Sequence, residues 1–471
     1  MIARAVILAG LSGTLAAAAA AIVPVPLPDP RIPGFHFPES EATIVNWVSD
    51  LSNGSASEAA PQAFENIVLH GWGLWTALTR ETGQVYAGQR LRVFETWLTP
   101  EELAAPAETI GAPALPVAPR RRAMLRTLDQ FDHEENIRRP AVPAGAAETD
   151  RVIGFIKYDP TAATHILQQK LLSLAALDQL LQGGARQIPA FPPTALSLKP
   201  VFQVIAAKSL VAGRYYRLKA WPGPPDPPQV WGPAQWPGVV WIDVQGGGGG
   251  QGGIDEQAAD DGSTRTDETT YPVSSFINYR LTGDEADAFN QAHAGADVSA
   301  GDYAILVAMH VAGHEITRWT WQTFWWAPAP DAPPLPSSAA NASLRPAQLQ
   351  GAPRHYAMAL GYALLSPEQP NVGGGNSGLA VYTYNPWLEA RFGPADLPDS
   401  LPGYDPNGQA AGNNYGVASN CMSCHARANY HPGKLATAPR YSGSRYVDLN
   451  DPQFAGTLQL DFLWSLAKNA R

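Results

Sequence analysis

The residues from Ser57 to Thr82, SEAAPQAFENIVLHGWGLWTALTRET, carry apolar side chains at helical spacing and predict the first long helix. RVFETW, from Arg92 to Trp97, alternates as a strand does. TPEEL follows with Thr99 as N-cap, Pro100 at the first helical position and Glu102 closing a capping box. The stretch DPTAATHILQQKLLSLAALDQLLQGG predicts one helix that Asp159 caps, Pro160 starts and Gly183 ends.

Beyond Pro189 the pattern changes. YRLKAWPG, VVWIDV, YAILVAMHVA and TRWTWQTFWW read as strands, and the last two, joined by GHEI, predict an antiparallel hairpin. Between VVWIDV and that hairpin lies QGGGGGQGGIDEQAADDGSTRTDE. Its glycines lack the flanking strand, helix and lysine of a phosphate loop, so it predicts a flexible loop. From Arg391 to Asn420 Pro, Gly, Asn and Asp predominate without a period, and so long a structureless stretch in a compact domain is usually functional.

These patterns predict an α+β protein with a helical N-terminal part, a β-rich middle region and a loop-rich C-terminal segment. The boundaries fall at 1–21, 22–188, 189–390 and 391–471. Only 16% of residues are charged while Pro (44) and Gly (43) are abundant, which agrees with short strands and ordered loops. With a net charge of −10 and only 32 Lys and Arg, a nucleic-acid partner is not expected.

The first segment changes the picture of where the protein works. MIARAVILAGLSGTLAAAAAAIVPVPLP has one positive charge at Arg4, an uncharged apolar run and a block of alanines, the pattern of a secretory signal peptide cut near Ala20 or Ala21. Uncleaved, Ala5 to Val23 is just long enough to serve as an anchor. No later stretch is long and apolar enough to span a bilayer, so a periplasmic protein without a membrane span is expected after removal. A Pro-rich lead, VPVPLPDPRIPGFHFP, follows and predicts an extended surface run.

The two cysteines of the chain, Cys421 and Cys424, stand three apart and His425 follows at once. C-x-x-C-H is the attachment signature of c-type haem. On one helical turn the three side chains share a face, so two thioethers can hold the porphyrin edge while the imidazole reaches the iron. One covalent haem c is therefore expected, with His425 as the proximal ligand. A Cys421–Cys424 disulfide is the alternative in an exported protein. A thioredoxin-like pair would need a βαβ setting, and a zinc site using His425 and His431 would need a second ligand pair.

No methionine follows Met422, so a sixth iron ligand must come from upstream or from His431, against which its short tether to His425 counts. His70, His310, His314, His355, Met309 and Met358 are the candidates. His310 and His314 have the even spacing that puts both on one side of the hairpin. Alternation also places Trp319, Trp321 and Trp325 on one face and Trp326 on the other, as core packing or haem-pocket lining. Arg427, Lys434, Arg440 and Arg445, with no acidic residue between Cys421 and Arg445, suit the two haem propionates. Other signatures fail: Ser377 in GGNSGL lacks the second glycine of a nucleophile elbow, and His310 with Glu315 does not form H-E-x-x-H.

WTWQTFWW, YNPWLEA (Tyr384 to Ala390) and NCMSCHA (Asn420 to Ala426) together resemble large exported single-haem proteins of the cytochrome c family. The resemblance runs from about Pro189 to the C-terminus, with echoes at HGWGLW and FETW. It implies thioethers at Cys421 and Cys424 and ligation by His425, and it implies no substrate. TFWWAP departs from the TFEH of many members, so nothing tied to that histidine carries over. The expected function is electron transfer with a redox partner protein or a small-molecule donor or acceptor. A haem enzyme acting on peroxide, oxygen or an organic substrate is the alternative, as is a gas or redox sensor.

N-terminal sequencing of the native protein is expected to begin between about Ala17 and Val25, the range that small-residue cleavage allows. A start at Met1 in a membrane fraction would mean an anchor instead.

Overall fold

The computed structural model describes residues 22–52, 61–104, 115, 122–127, 153–227, 229–362, 383–390, 425, 428–432 and 454–471. Within them the chain is a mixed α+β protein, as its patterning predicts. Helices α1 (Glu41–Ser52) and α2 (Pro61–Thr79) lead into a hairpin of β1 (Glu81–Tyr86) and β2 (Gln89–Arg92). The expected strand at Arg92–Trp97 is instead a single helical turn, α3 (Val93–Thr96). Glu95 Oε2 accepts the Arg92 N–H at 2.8 Å, and Val93, Phe94 and Thr96 are all buried, so the turn hides both sides that a strand would have shown separately. In α4 (Pro100–Ala104) the capping box forms as read: the Thr99 N–H donates to Glu102 Oε2 at 2.7 Å and the Glu102 N–H to Thr99 Oγ1 at 3.2 Å.

The helix predicted across Asp159 to Gly183 is two helices, α5 (Pro160–Gln168) and α6 (Leu174–Gln182). Lys170 breaks it, with a left-handed φ of 53°. Asp159 caps α5 by accepting from the Thr161 and Ala162 N–H groups, and it also accepts from Leu196 in the first long strand, which ties helix to sheet. Burial pushes its carboxyl up to about 6 despite these donors.

The main sheet contains β3 (Arg126–Thr127), β4 (Ile153–Gly154), β6 (Leu196–Ile205), β11 (Tyr303–Gly313), β12 (Thr320–Trp326) and β13 (Tyr356–Tyr362), in the order β13-β12-β11-β6-β4-β3. β5 (Lys157–Tyr158) adds to β6 and β10 (Asn278–Arg280) to β11. The β11–β12 pair is the predicted hairpin, antiparallel from Ala308↔Trp325 to Gly313↔Thr320. A second sheet joins β7 (Tyr215–Lys219), β8 (Val239–Asp243) and β9 (Thr270–Pro272), with β8 and β9 parallel. The glycine run after β8 is packed rather than flexible. Gly249 and Gly250 donate to Asp267 O, Gln251 donates to Glu268 O, and a Cβ at Gly248 would stand 2.5 Å from Thr270 O. Glycine is needed there because the loop lies against backbone.

Directly paired residues share a sheet face. One face of β11–β12–β13 therefore carries Met309, Phe324 and Met358, and α2 covers it: Trp75 stacks on Phe324 with ring centroids 4.3 Å apart. At one end of this interface is a fully enclosed hydrogen-bond chain. Gln322 Nε2 donates to Tyr362 Oη at 2.7 Å, the Tyr362 hydroxyl meets His70 Nδ1 at 2.6 Å, and His70 Nε2–H donates to Glu315 Oε1 at 2.9 Å. Glu315 also accepts from the Glu39 N–H and the Thr320 hydroxyl. Burial, reinforced by Glu315, pushes the Tyr362 phenol well above its usual range, so it remains a donor. The Pro-rich lead runs over the surface without regular structure, as expected, and is anchored to this assembly by the buried Ile32 and Phe35 and by Val25 O, which accepts from Trp97 Nε1.

The close approach of α2 makes a prediction. A Cβ at Gly73 would stand 2.0 Å from the Phe35 ring, whereas one at Gly71 would meet the flexible ends of Leu360 and Met358. Gly73→Ala is expected to lower stability by about 1–2 kcal/mol, overpacking outweighing the roughly 1 kcal/mol that Ala adds to a helix. Urea denaturation should show Gly71→Ala to be milder, because long side chains can move aside.

Candidate functional site

His425 is the described member of the C-x-x-C-H unit; Cys421 and Cys424 lie outside the described residues, as do Ser377, Arg427, Lys434, Arg440, Arg445 and the N-terminal 21 residues. The chain after His425 is held by the chain that returns to it. β14 (Asn429–Tyr430) pairs with β15 (Leu458–Gln459), Leu460 N–H donates to Ala428 O, and the Tyr430 hydroxyl donates to Asp178 of α6 at 2.6 Å. Leu458, Leu460, Phe462 and Leu466 then share an apolar core with Ile166, Leu177, Trp319 and Trp321. The C-terminal segment is thus docked on α5, α6 and the main sheet.

This docking orients the imidazole. Asp461 and Phe462 both take left-handed φ values, 47° and 68°, and the turn they make presents Phe462 O to His425 Nδ1 at 2.6 Å. A carbonyl only accepts, so Nδ1 carries the proton and Nε2 keeps its lone pair. Nε2 has no hydrogen bond among the described residues. Burial pushes the His425 pKa down to about 3, against the upward pull of the Phe462 carbonyl and with Lys199 adding to the fall, so the ring is neutral. On one side the ring lies against Trp321, centroids 4.4 Å apart.

Trp321 belongs to the sheet face that α2 does not cover. It pairs with Ala312 and Gly361, and two residues on Thr323 pairs with His310 and Ala359, so small side chains flank the tryptophan. Here His310 Nε2–H donates to Glu389 Oε1 at 2.9 Å, Glu389 Oε2 accepts from Asn385 N at 2.6 Å, and Asn385 Nδ2 donates to Thr323 Oγ1. Burial opposes the charge on Glu389, but His310, Lys199 and the Asn385 N–H together hold its carboxyl below the usual carboxylate range. Two buried indole N–H groups, those of Trp319 and Trp325, have no acceptor among the described residues. A neutral imidazole with one pinned nitrogen, flanked on the sheet by small residues, suits a large planar group.

The six upstream ligand candidates separate on this frame. Met309 and Met358 point to the α2 face, as does His70, both of whose ring nitrogens are bonded. His355 precedes β13 at the end farther from Gly361, beside Arg345 and Asp331, and burial lowers its pKa. His314 lies just past the end of β11, with Nε2 3.4 Å from Asp461 and Nδ1 shut in without a partner. His310 alone among them shares the face of Trp321 in the sheet. His431 is turned to its own neighbour, donating from Nδ1 to Pro432 O at 2.9 Å. Trp321 and Trp325 share a face and Trp326 takes the other, as alternation predicts. Trp319 differs: the strand starts at Thr320, and Trp319 has a left-handed φ of 60°.

Sequence reasoning missed Lys199, Asn385, Glu389 and the Phe462 carbonyl. YNPWLEA held two of them in plain view, a Glu four residues beyond an Asn, but spacing alone carried no sign of His310 as their partner. Among the described residues no helix is long and apolar enough to cross a membrane. The sequence matches no protein-family model, and neither a curated protein nor a solved structure matches it.

Asp461 holds the turn that faces His425 by accepting from the Phe191 N–H at 3.1 Å and from Gln187 at 3.3 Å. Asp461→Ala is expected to cost about 1–3 kcal/mol in a urea titration, because it leaves a buried N–H unmatched. Asp461→Asn, which keeps an acceptor and tolerates left-handed φ, should recover most of that loss.

Proposed function

We infer that the chain is a periplasmic c-type cytochrome that binds one haem covalently through Cys421 and Cys424, with His425 as the proximal iron ligand, and that it transfers electrons. The observation that carries this reading is the 2.6 Å bond from His425 Nδ1–H to Phe462 O, which leaves Nε2 as the free lone pair directly after the Cys-x-x-Cys pair. Ligating histidines commonly have their second nitrogen held this way, which fixes the tautomer and the ring plane. When bound, the haem supplies an iron that takes up and releases one electron.

The residues of this chain do the rest. Phe462 O fixes the direction of Nε2, and Trp321 supports the ring from the sheet side. The return of β15 beside β14 keeps that geometry rigid, which suits outer-sphere transfer because little reorganises. A redox partner protein or a small-molecule donor or acceptor completes the reaction, and with the N-terminal segment removed the protein works without a membrane span.

Co-expressed with haem-attachment machinery, the intact protein is expected to gain the mass of one haem and to keep its colour after acid-acetone extraction. Extractable haem, or none, would overturn the reading. Changing both cysteines to Ala should abolish retention while leaving the far-ultraviolet circular dichroism unchanged.

A further inference from the structure

We propose that His310, braced by Glu389, is the sixth iron ligand, coordinating through Nδ1 from the sheet. The proposal rests on the covalent-haem reading above and adds to it a second residue of this chain that would hold the iron.

Three observations meet in His310. First, it occupies the sheet face that carries Trp321 and the His425 ring: His310 pairs with Thr323, Trp321 pairs with Ala312, and the two positions are two residues apart, about 7 Å along the strand. Second, it has the bonding pattern of a metal-ligating histidine. Nε2–H is held by Glu389 Oε1 at 2.9 Å, and Glu389 is itself fixed by the Asn385 N–H, so the other nitrogen, Nδ1, bears the lone pair. His425 shows the same arrangement with its nitrogens exchanged, Nδ1 pinned by a carbonyl and Nε2 left over. Third, the ring is accessible, with 19% of its side chain exposed.

The competing side chains lack one feature or another. His70, a residue of α2, has no nitrogen to spare and lies on the opposite side of the sheet from Trp321. His314 has a spare Nδ1, but that atom is sealed in beside Trp319. Met309 and Met358 are wholly buried against the helix side. A strand is also a rigid place for a ligand, since β11 is paired on both sides, by β6 and β12, at the level of His310. Two nitrogen ligands held from separate rigid segments would keep the iron six-coordinate in both oxidation states, which fits a carrier.

The test uses the haem-loaded full chain. Wild type should be low-spin by electron paramagnetic resonance when ferric and should not bind carbon monoxide when ferrous. His310→Ala should lose the low-spin signal, gain stoichiometric carbon monoxide binding and recover the low-spin signal on addition of imidazole. His314→Gln should leave the spectrum as it is. Glu389→Gln, which retains a hydrogen-bond acceptor but removes the negative charge beside His310 Nε2, should keep the spin state and raise the reduction potential. That shift would not follow from a merely structural role. A high-spin wild type, or a His310→Ala variant that stays low-spin, would overturn the proposal while leaving covalent haem intact. Absence of covalent haem in wild type would overturn both.

Discussion

The ladder of β6, β11, β12 and β13 has to bury both of its faces, and the rest of the fold is arranged to satisfy that need. All seven residues of β12 are buried. An antiparallel sheet can leave one face wet, but a strand with tryptophan, threonine, phenylalanine and glutamine on its two sides must be covered twice. The Met309, Phe324 and Met358 side is closed by α2, whose glycines at 71 and 73 allow the approach. The Trp321 side is closed by the chain after Tyr384 and by the C-terminal return. Because strand side chains alternate, the same ladder separates two sets of polar groups that sequence alone could not tell apart.

On the helix side the polar groups are consumed. Gln322, Tyr362, His70 and Glu315 form a closed series of donors and acceptors that also reaches Glu39 and Thr320. Buried polar groups are costly unless matched, and matched ones hold their neighbours in one arrangement. This chain joins the lead segment, α2, β12 and β13. On the other side, among the described residues, one ring nitrogen on each of His310, His314 and His425 has no hydrogen bond. On the reading proposed above, His310 and His425 use that spare nitrogen, His314 has its own sealed in, and His70 is architectural.

Several elements are legible in the sequence. The Thr99 and Glu102 box, the Asp159 cap and the β11–β12 hairpin depend on contacts within a few residues, and they formed as read. The failures share a cause. Arg92–Trp97 alternates, yet its burial on all sides made a helical turn preferable to a strand. The long helix after Asp159 breaks at Lys170, since α5 and α6 pack on different partners: Asp159 at the start of α5 meets Leu196, while Asp178 of α6 meets Tyr430. The glycine run looked loose because its partners, Asp267 to Tyr271, follow it by some twenty residues.

The sequence by itself determined the chemistry that depends on covalent neighbourhood. Cys421, Cys424 and His425 keep their spacing along the chain whatever the fold does, and the expectation of a haem attachment site rests on that spacing alone. The even spacing of His310 and His314 was equally plain, but which histidine keeps an accessible lone pair was not. That depended on Glu389 lying across from His310 and Asp461 across from His314, contacts between residues 79 and 147 positions apart. Only the tertiary structure could decide it, because a lone pair is made available or withdrawn by whatever oxygen the folded chain brings to the other nitrogen.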